Sequence, residues 1–275
     1  VGRASIPAIG SRAPDDVAKS PIPSFRHHDL MPRYKLVIEY DGTPFSGWQR
    51  QLNGPSVQQS VEEAVEAFCG HAVRLHCAGR TDAGVHATHQ VAHVDLDKEW
   101  RTDVVRDASN ARLKHLPVAV LSAEAVSDEF DARISARRRY YIYRMLDRRA
   151  PPALDRDRLW HVPFRLDHEA MDHAAKALVG HHDFTTFRAA ECQANGPVRT
   201  LDRLDVTREG SEIVIYAHAR SFLHHQVRSM VGCLKMVGAG RWPENKVGKV
   251  LAARDRSQCA ALAPSCGLYL AGVDY

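Results

Sequence analysis

The sequence predicts an α+β protein built from two βαββαβ units in tandem. Three observations carry that expectation. An alternating strand followed by a capped amphipathic helix opens the ordered part near Tyr34, a second strand–helix–hairpin–helix–strand series occupies residues 139–273, and nothing linker-like separates the two.

Residues 34–40 (YKLVIEY) alternate in the period-two manner of a half-buried strand. Ser56 supplies an N-cap for a helix over Val57–Phe68, with Val57, Val61, Ala64, Val65 and Phe68 on one face. Residues 72–78 and 90–96 read as strands. Thr102 or Asp103 opens a second helix through Leu113, and Val118–Val126 completes the first unit. The second unit runs through a strand at 139–146 (RYYIYRML) and a helix at 167–179. A hairpin of Leu201–Thr207 with Glu212–Ala219 follows, turned at Glu209-Gly210. Helices over Phe222–Val237 and near Glu244–Ala252 precede a last strand at Leu268–Val273. Twice over, this is the order of the ferredoxin-like split unit. Order alone carries the doubling, since the halves show no visible sequence identity, and coincidence in a common element order is the competing explanation. The expected organisation is an extension over 1–31, one half over 32–135 and another over 136–275. Pro14, Pro21 and Pro23 break periodicity in the extension, which is expected to be disordered and lacks the apolar run of a secretory signal.

Composition narrows the class. With 44% hydrophobic and 25% charged residues, the 275-residue chain can bury a core, and its longest apolar runs are too short to span a bilayer. Six cysteines without a C-x-x-C pair or regular spacing fit a reducing, cytoplasmic setting. A net charge of +4 does not by itself establish nucleic-acid binding, so the placement of the charge matters.

Three segments could carry chemistry. Gly79-Arg80-Thr81-Asp82-Ala83-Gly84-Val85-His86-Ala87 follows a strand and sets a cation and a carboxylate between glycines. It reads either as a site loop or as an ordinary Asp/Gly turn. The tract Arg133–Arg149 interleaves Arg133, Arg137, Arg138, Arg139, Arg144, Arg148 and Arg149 with Tyr140, Tyr141 and Tyr143. Cations for phosphates and rings for bases make it a candidate RNA surface, against a solvated strand edge with core tyrosines. In the helix from Ser221 to Gly232, Arg228 sits at the apolar flank and needs a carboxylate partner, for which Asp82 is a candidate if the halves face each other. His86, His89, His93 and His181-His182-Asp183 raise a metal hypothesis but show no zinc spacing, and no phosphate-cradling glycine loop occurs, so neither metal nor cofactor is expected.

Taken together, the segments resemble the TruA family of tRNA pseudouridine synthases over Tyr34–Tyr275. The likeness rests on Tyr40-Asp41-Gly42-Thr43-x-Phe45-x-Gly47-Trp48-Gln49, the GRTDAGVHA loop, Phe130-x-Ala132-Arg133 and Arg139-x-Tyr141-x-Tyr143. It continues in His182-Asp183-Phe184-x-x-Phe187-Arg188, Phe222-Leu223-x-x-x-Val227-Arg228-x-x-Val231-Gly232 and Ala263-Pro264-x-x-Gly267-Leu268. The resemblance implies two ferredoxin-like halves in one continuous, mainly antiparallel sheet, with helices on one face, a central basic cleft and a homodimer. It implies Asp82 as nucleophile, Arg80 assisting displacement of the target base, Arg228 holding Asp82, and Tyr141 packing on the flipped uracil. Arg133, Arg137, Arg138, Arg139, Phe187 and Arg188 complete the expected substrate-binding set. The implied substrates are uridines 38, 39 and 40 of the tRNA anticodon stem-loop. Two positions depart from the family pattern. His89 stands where glycine is usual, which predicts a strained turn, and Asp131 replaces a histidine, which sets a negative charge beside Arg133. The rivals are a non-catalytic RNA-binding protein of the same fold, which leaves Asp82 unexplained, and a metal-dependent hydrolase using the histidines.

Overall fold

The computed structural model describes residues Met31–Tyr275, which form one compact unit. Of the expected N-terminal extension, residues 1–30 lie outside the described residues.

The first series is β1 (Arg33–Tyr40), α1 (Val57–Cys69), β2 (His76–Cys77), β3 (His86–Asp95), α2 (Thr102–Leu113) and β4 (Val118–Val126). The second is β5 (Arg138–Leu146), β6 (Trp160–His161), α3 (His168–Ala175), β7 (Gly180–Asp183), β8 (Val198–Glu209), β9 (Glu212–Ala219), α4 (Gln226–Gly238), α5 (Lys246–Ala253) and β10 (Leu268–Asp274). All ten strands join one sheet in the order β4-β1-β3-β10-β5-β9-β8-β7, with β2 on β3 and β6 on β5. Each series therefore sets its fourth, first, third and second main strands side by side, as the doubled βαββαβ order predicts. The seam is a short parallel pairing in which Tyr269 faces His86 and Leu270 faces Ala87.

Local chemistry accounts for most boundaries. In β1, Tyr34, Leu36, Ile38 and Tyr40 turn into the core on alternate positions. The Ser56 side chain accepts from Gln59 N to start α1, and Gly70, in the left-handed region at φ 85°, ends it. The β8–β9 hairpin turns through Gly210 at φ 61°, where the Glu209-Gly210 signal places it.

Four boundaries differ from expectation. The strand expected over 72–78 shrinks to two residues because the backbone of Leu75 is claimed by α1: its N–H donates to Glu62 Oε1 at 3.0 Å and its carbonyl accepts from Gln58 Nε2 at 3.1 Å. β3 starts earlier than 90 because β10 offers it a partner at His86 and Ala87. The α3 helix stops at Ala175 and continues as one 3-10 turn over Lys176–Leu178. The helix expected from Phe222 begins only at Gln226, because His225 adopts φ 63°. The strain expected at His89 is not there. The β1–β3 register shifts between Ile38 and Tyr40, and the resulting bulge takes up Thr88 and His89 without a left-handed residue.

Burial lowers the pKa of His86, His93 and His218 below the ordinary imidazole value. Between those lowered values and about 6.5 the unfolded chain binds more protons than the folded one, so stability rises with pH through that window. It is fully present above about pH 6.5 and is lost as pH falls. Thermal unfolding at constant ionic strength should therefore give a lower Tm at pH 5.5 than at pH 7.5. A flat profile over that range would show that these rings are not held neutral.

Candidate active site

The loop between β2 and β3 carries Asp82, and the first motif of the chain fixes it. The carbonyl of Thr81 accepts from Trp48 N at 3.0 Å, and its hydroxyl pairs with Tyr40 Oη at 2.8 Å. Gly47 makes this approach possible: it sits at φ 108°, and a Cβ there would lie 2.7 Å from Thr81 O. Gln90 Nε2 donates to Gly79 O at 2.7 Å, and Val85 N closes the turn on Asp82 O at 3.1 Å. This fixed loop leaves the Asp82 side chain 25% exposed.

Three cationic or potentially cationic groups from the other half meet that carboxylate. Arg228 Nη1 donates to Asp82 Oδ2 at 2.9 Å, while Arg228 Nε donates to Ala263 O at 2.8 Å, which fixes the plane of the guanidinium. His224 Nε2 lies 3.2 Å from Oδ1 and His225 Nε2 3.3 Å from Oδ2. The turn that aims both rings is held by Gln226 Oε1, which accepts from Leu223 N at 2.8 Å, and by the left-handed backbone of His225. Burial lowers the His225 pKa and Asp82 opposes that shift, so the ring is disposed to be neutral near neutrality. Sequence reasoning placed Arg228 here but missed the two histidines. The signal was available in His224-His225 directly before an amphipathic helix, where a strained turn puts side chains on the helix's open end.

Asp82, His224 and His225 are also the one group among the described residues with ligand atoms close enough for a metal ion, all within 4.8 Å of one another. The Arg228 guanidinium already pairs with the same carboxylate and would compete with any cation there. The histidines singled out from sequence are engaged elsewhere. His86 Nδ1 accepts from Gly42 N at 3.0 Å, Ala132 N donates to His93 Nδ1 at 3.0 Å, and His182 bonds Val179 O at 2.9 Å.

Tyr141 lies beside the site, 9% exposed, with its ring edge-on to Phe222 at 5.1 Å and its hydroxyl near Gly79. Arg80, Arg133 and Arg137 are exposed, with no side-chain hydrogen bond or carboxylate partner among the described residues, whereas Arg138 pairs with Asp202 at 3.3 Å.

Three expected substrate contacts need correction. Arg139 is 8% exposed, and its guanidinium donates to the carbonyls of Ala78, Arg133 and Arg220, so it clamps backbone instead of meeting phosphate. Phe187 is wholly buried in the core. Arg188 donates to Cys192 O at 2.6 Å and Ala194 O at 2.7 Å, bracing the segment whose Ala189 N–H bonds His224 O. Asp131 likewise turns inward, accepting from the N–H groups of Arg133 and Ile134, each at 2.7 Å.

A partly exposed carboxylate held by one guanidinium and two imidazoles, in a doubled βαββαβ sheet, defines a class of enzyme that comparison with known proteins makes specific. The family model described as tRNA pseudouridine synthase matches residues 36–134 and 174–275. The chain belongs to the tRNA pseudouridine synthase family, and so to the isomerases. It is 64% identical over 245 residues to "tRNA pseudouridine synthase A" of Methylobacterium sp. (strain 4-46), covering 89% of this chain and 98% of that one. The protein of the same name from Methylobacterium nodulans is 62% identical, over 89% of this chain and 96% of its own. That from Xanthobacter autotrophicus is 59% identical, over 89% and 100%.

The clamp has a testable cost. Arg139→Ala leaves three carbonyls without their donor in a nearly dry setting, at a cost of about 2–4 kcal/mol of folding stability. Arg139→Lys should recover little, because one ammonium cannot span three acceptors. Urea unfolding of both variants checks this; a loss under about 0.5 kcal/mol would put Arg139 with ordinary surface residues.

Proposed function

We propose that the chain isomerises uridines 38, 39 and 40 of the tRNA anticodon stem-loop to pseudouridine, with Asp82 as its catalytic nucleophile. The observation that carries this is the Asp82 carboxylate itself, partly open to solvent and oriented by Arg228. In the reaction the N1–C1′ glycosidic bond breaks, uracil rotates, a C5–C1′ bond forms, and C5 gives up a proton while N1 takes one up. No net redox change or group donor is needed. Asp82 attacks either the ribose anomeric carbon or the pyrimidine ring, and Arg228 keeps it aimed.

The target base must leave its stack, at a cost of a few kcal/mol. Tyr141 offsets part of it by packing on the extruded uracil, since base–aromatic contacts are worth roughly 1–3 kcal/mol. Arg80, next but one to Asp82, helps displace the base, and Arg133 and Arg137 neutralise phosphates. The protein works in the cytoplasm as a homodimer, a reading supported by family resemblance. No helix among the described residues is long and apolar enough to cross a membrane.

Asp82→Asn separates this reading from RNA binding without catalysis. Asn keeps the size of the side chain but removes the anion, so single-turnover pseudouridine formation should fall below detection while tRNA binding persists. Near-normal product from the Asn variant would eliminate Asp82 and the reading with it. Tyr141→Phe should keep most binding and turnover, whereas Tyr141→Ala should lose both. Equal defects would assign the role to the hydroxyl. Charge reversal of Arg133 and Arg137 should weaken binding and flatten its dependence on salt, because fewer counterions are released. An unchanged salt slope would remove both from the RNA surface.

A further inference from the structure

Two cysteines that the reaction does not use face each other across the scaffold that orients Arg228. Cys233 lies on α4, fully buried, and Cys259 follows a 3-10 turn at Arg256–Gln258 and is partly exposed. Their sulfurs are 3.6 Å apart, and Cys233 Sγ also accepts from Ala260 N at 3.4 Å. The same two segments meet again beside the site. Gly232 packs so tightly on Ala261 that a Cβ would lie 2.1 Å from its carbonyl oxygen. Ala263 then exchanges two hydrogen bonds with Arg228, O with Nε at 2.8 Å and N with the Arg228 carbonyl at 3.3 Å. The thiol pair and the Arg228 anchor therefore sit on one seam.

We propose that Cys233 and Cys259 are a peroxide-sensitive dithiol whose closure to a disulfide shifts α4 against residues 259–263 and lowers turnover by displacing Arg228 from Asp82.

The chemistry divides between the two sulfurs. Cys259 is the accessible one, and its thiol is pulled down to about 7 by the hydrogen bond from Cys233 and by the Arg256 guanidinium. The contact with Cys259 and burial push the Cys233 thiol up, so it keeps its proton. The Cys259 thiolate attacks hydrogen peroxide: an S–O bond forms, the O–O bond breaks, and hydroxide leaves and takes a proton to become water. The resulting sulfenic acid is attacked by Cys233, an S–S bond forms, the S–O bond breaks, and the departing hydroxide takes the Cys233 proton as a second water. Two thiols lose two electrons and two protons to one peroxide. Bonding brings the sulfurs from 3.6 Å to about 2.0 Å, a movement the tight Gly232–Ala261 contact cannot absorb locally. It passes along the seam to Ala263 and Arg228. A buried cysteine elsewhere in a core acts only as a small apolar residue. Here a second sulfur, a nearby cation and access from one side add reactivity.

The experiment treats the full chain with hydrogen peroxide, blocks remaining thiols with N-ethylmaleimide, and measures cross-linked peptides by mass spectrometry beside single-turnover pseudouridine formation. The expected result is a Cys233–Cys259 peptide, turnover lowered about tenfold or more, as an ångström-scale misplacement of a positioning group produces, and recovery with dithiothreitol. Binding of tRNA should change little. Cys259→Ser should keep the basal rate and become indifferent to peroxide. Cys192→Ser should stay sensitive, although Cys192 Sγ accepts from His224 N at 3.4 Å. The proposal is overturned by absence of the cross-link, by a cross-link with unchanged turnover, or by a Cys259→Ser variant as sensitive as its parent.

Discussion

The sheet is continuous across the chain through a very short parallel pairing, two residues of β3 against two of β10. So little ladder cannot fix the mutual orientation of two four-stranded sets, and polar side chains supply the rest. The His86 ring stacks on Tyr269 at 4.7 Å, accepts from Gly42 N, and offers its other nitrogen to the carbonyls of Asp157 and Cys266. Arg139 reaches from β5 to Ala78 O, on the far side of the seam. Tyr275, at the end of the chain, donates to Ala132 O at 2.8 Å. Each is a largely buried group whose partners lie on backbone, so each is strong only while the halves keep their register. The Asp82–Arg228 pair is one more bond across the same seam, which puts this carboxylate where the structure is heavily braced.

That position has an electrostatic consequence. Arg228, His224 and His225 all come from one turn of one element and converge on a carboxylate from the other half. At a partly buried carboxylate, charge–charge and charge–dipole terms are larger than in open water, so small changes in this turn alter the electrostatics at Asp82. The turn itself is held by backbone bonds from two directions, Ala189 N to His224 O and Ala263 N to Arg228 O. Segments far apart in sequence, beside the 182–188 motif and at Ala263, thus brace the site through backbone bonds, and Ala263 O also holds the Arg228 side chain.

That division explains what was legible beforehand. Periodicity exposed β1, α1, α2 and the β8–β9 hairpin, because each satisfies its own backbone and buries one regular face. It could not reveal that α1 side chains would take the Leu75 backbone from β2, since that exchange depends on tertiary approach. The Asp82 loop and Arg228 were legible through motifs, whereas Phe187, Arg188 and Arg139 were assigned to the substrate from chemistry that serves the backbone equally well. An arginine amid aromatic residues reads alike whether its partners are phosphates or buried carbonyls. His224 and His225 were overlooked because a continuous helix was expected through them, and only the positive φ of His225 turns both rings toward Asp82.

The arginines resolve into two populations by what surrounds them. Arg144 forms a two-point pair with Glu212, Arg208 another with the buried Asp147, and Arg33 a third with Asp95, so none of these adds much to the outward field. Arg80, Arg133 and Arg220 have no such carboxylate among the described residues, and all three are exposed. The backbones of Arg133 and Arg220, with that of Ala78 two residues before Arg80, converge on the single guanidinium of Arg139. Arg80 and Arg133 are close enough for both to bear on the partly buried Cys77 thiol. One buried cation thereby gathers the backbones next to three exposed ones. This local concentration, and not the net charge of +4, dominates the field there, since screening leaves only nearby charges effective at physiological salt.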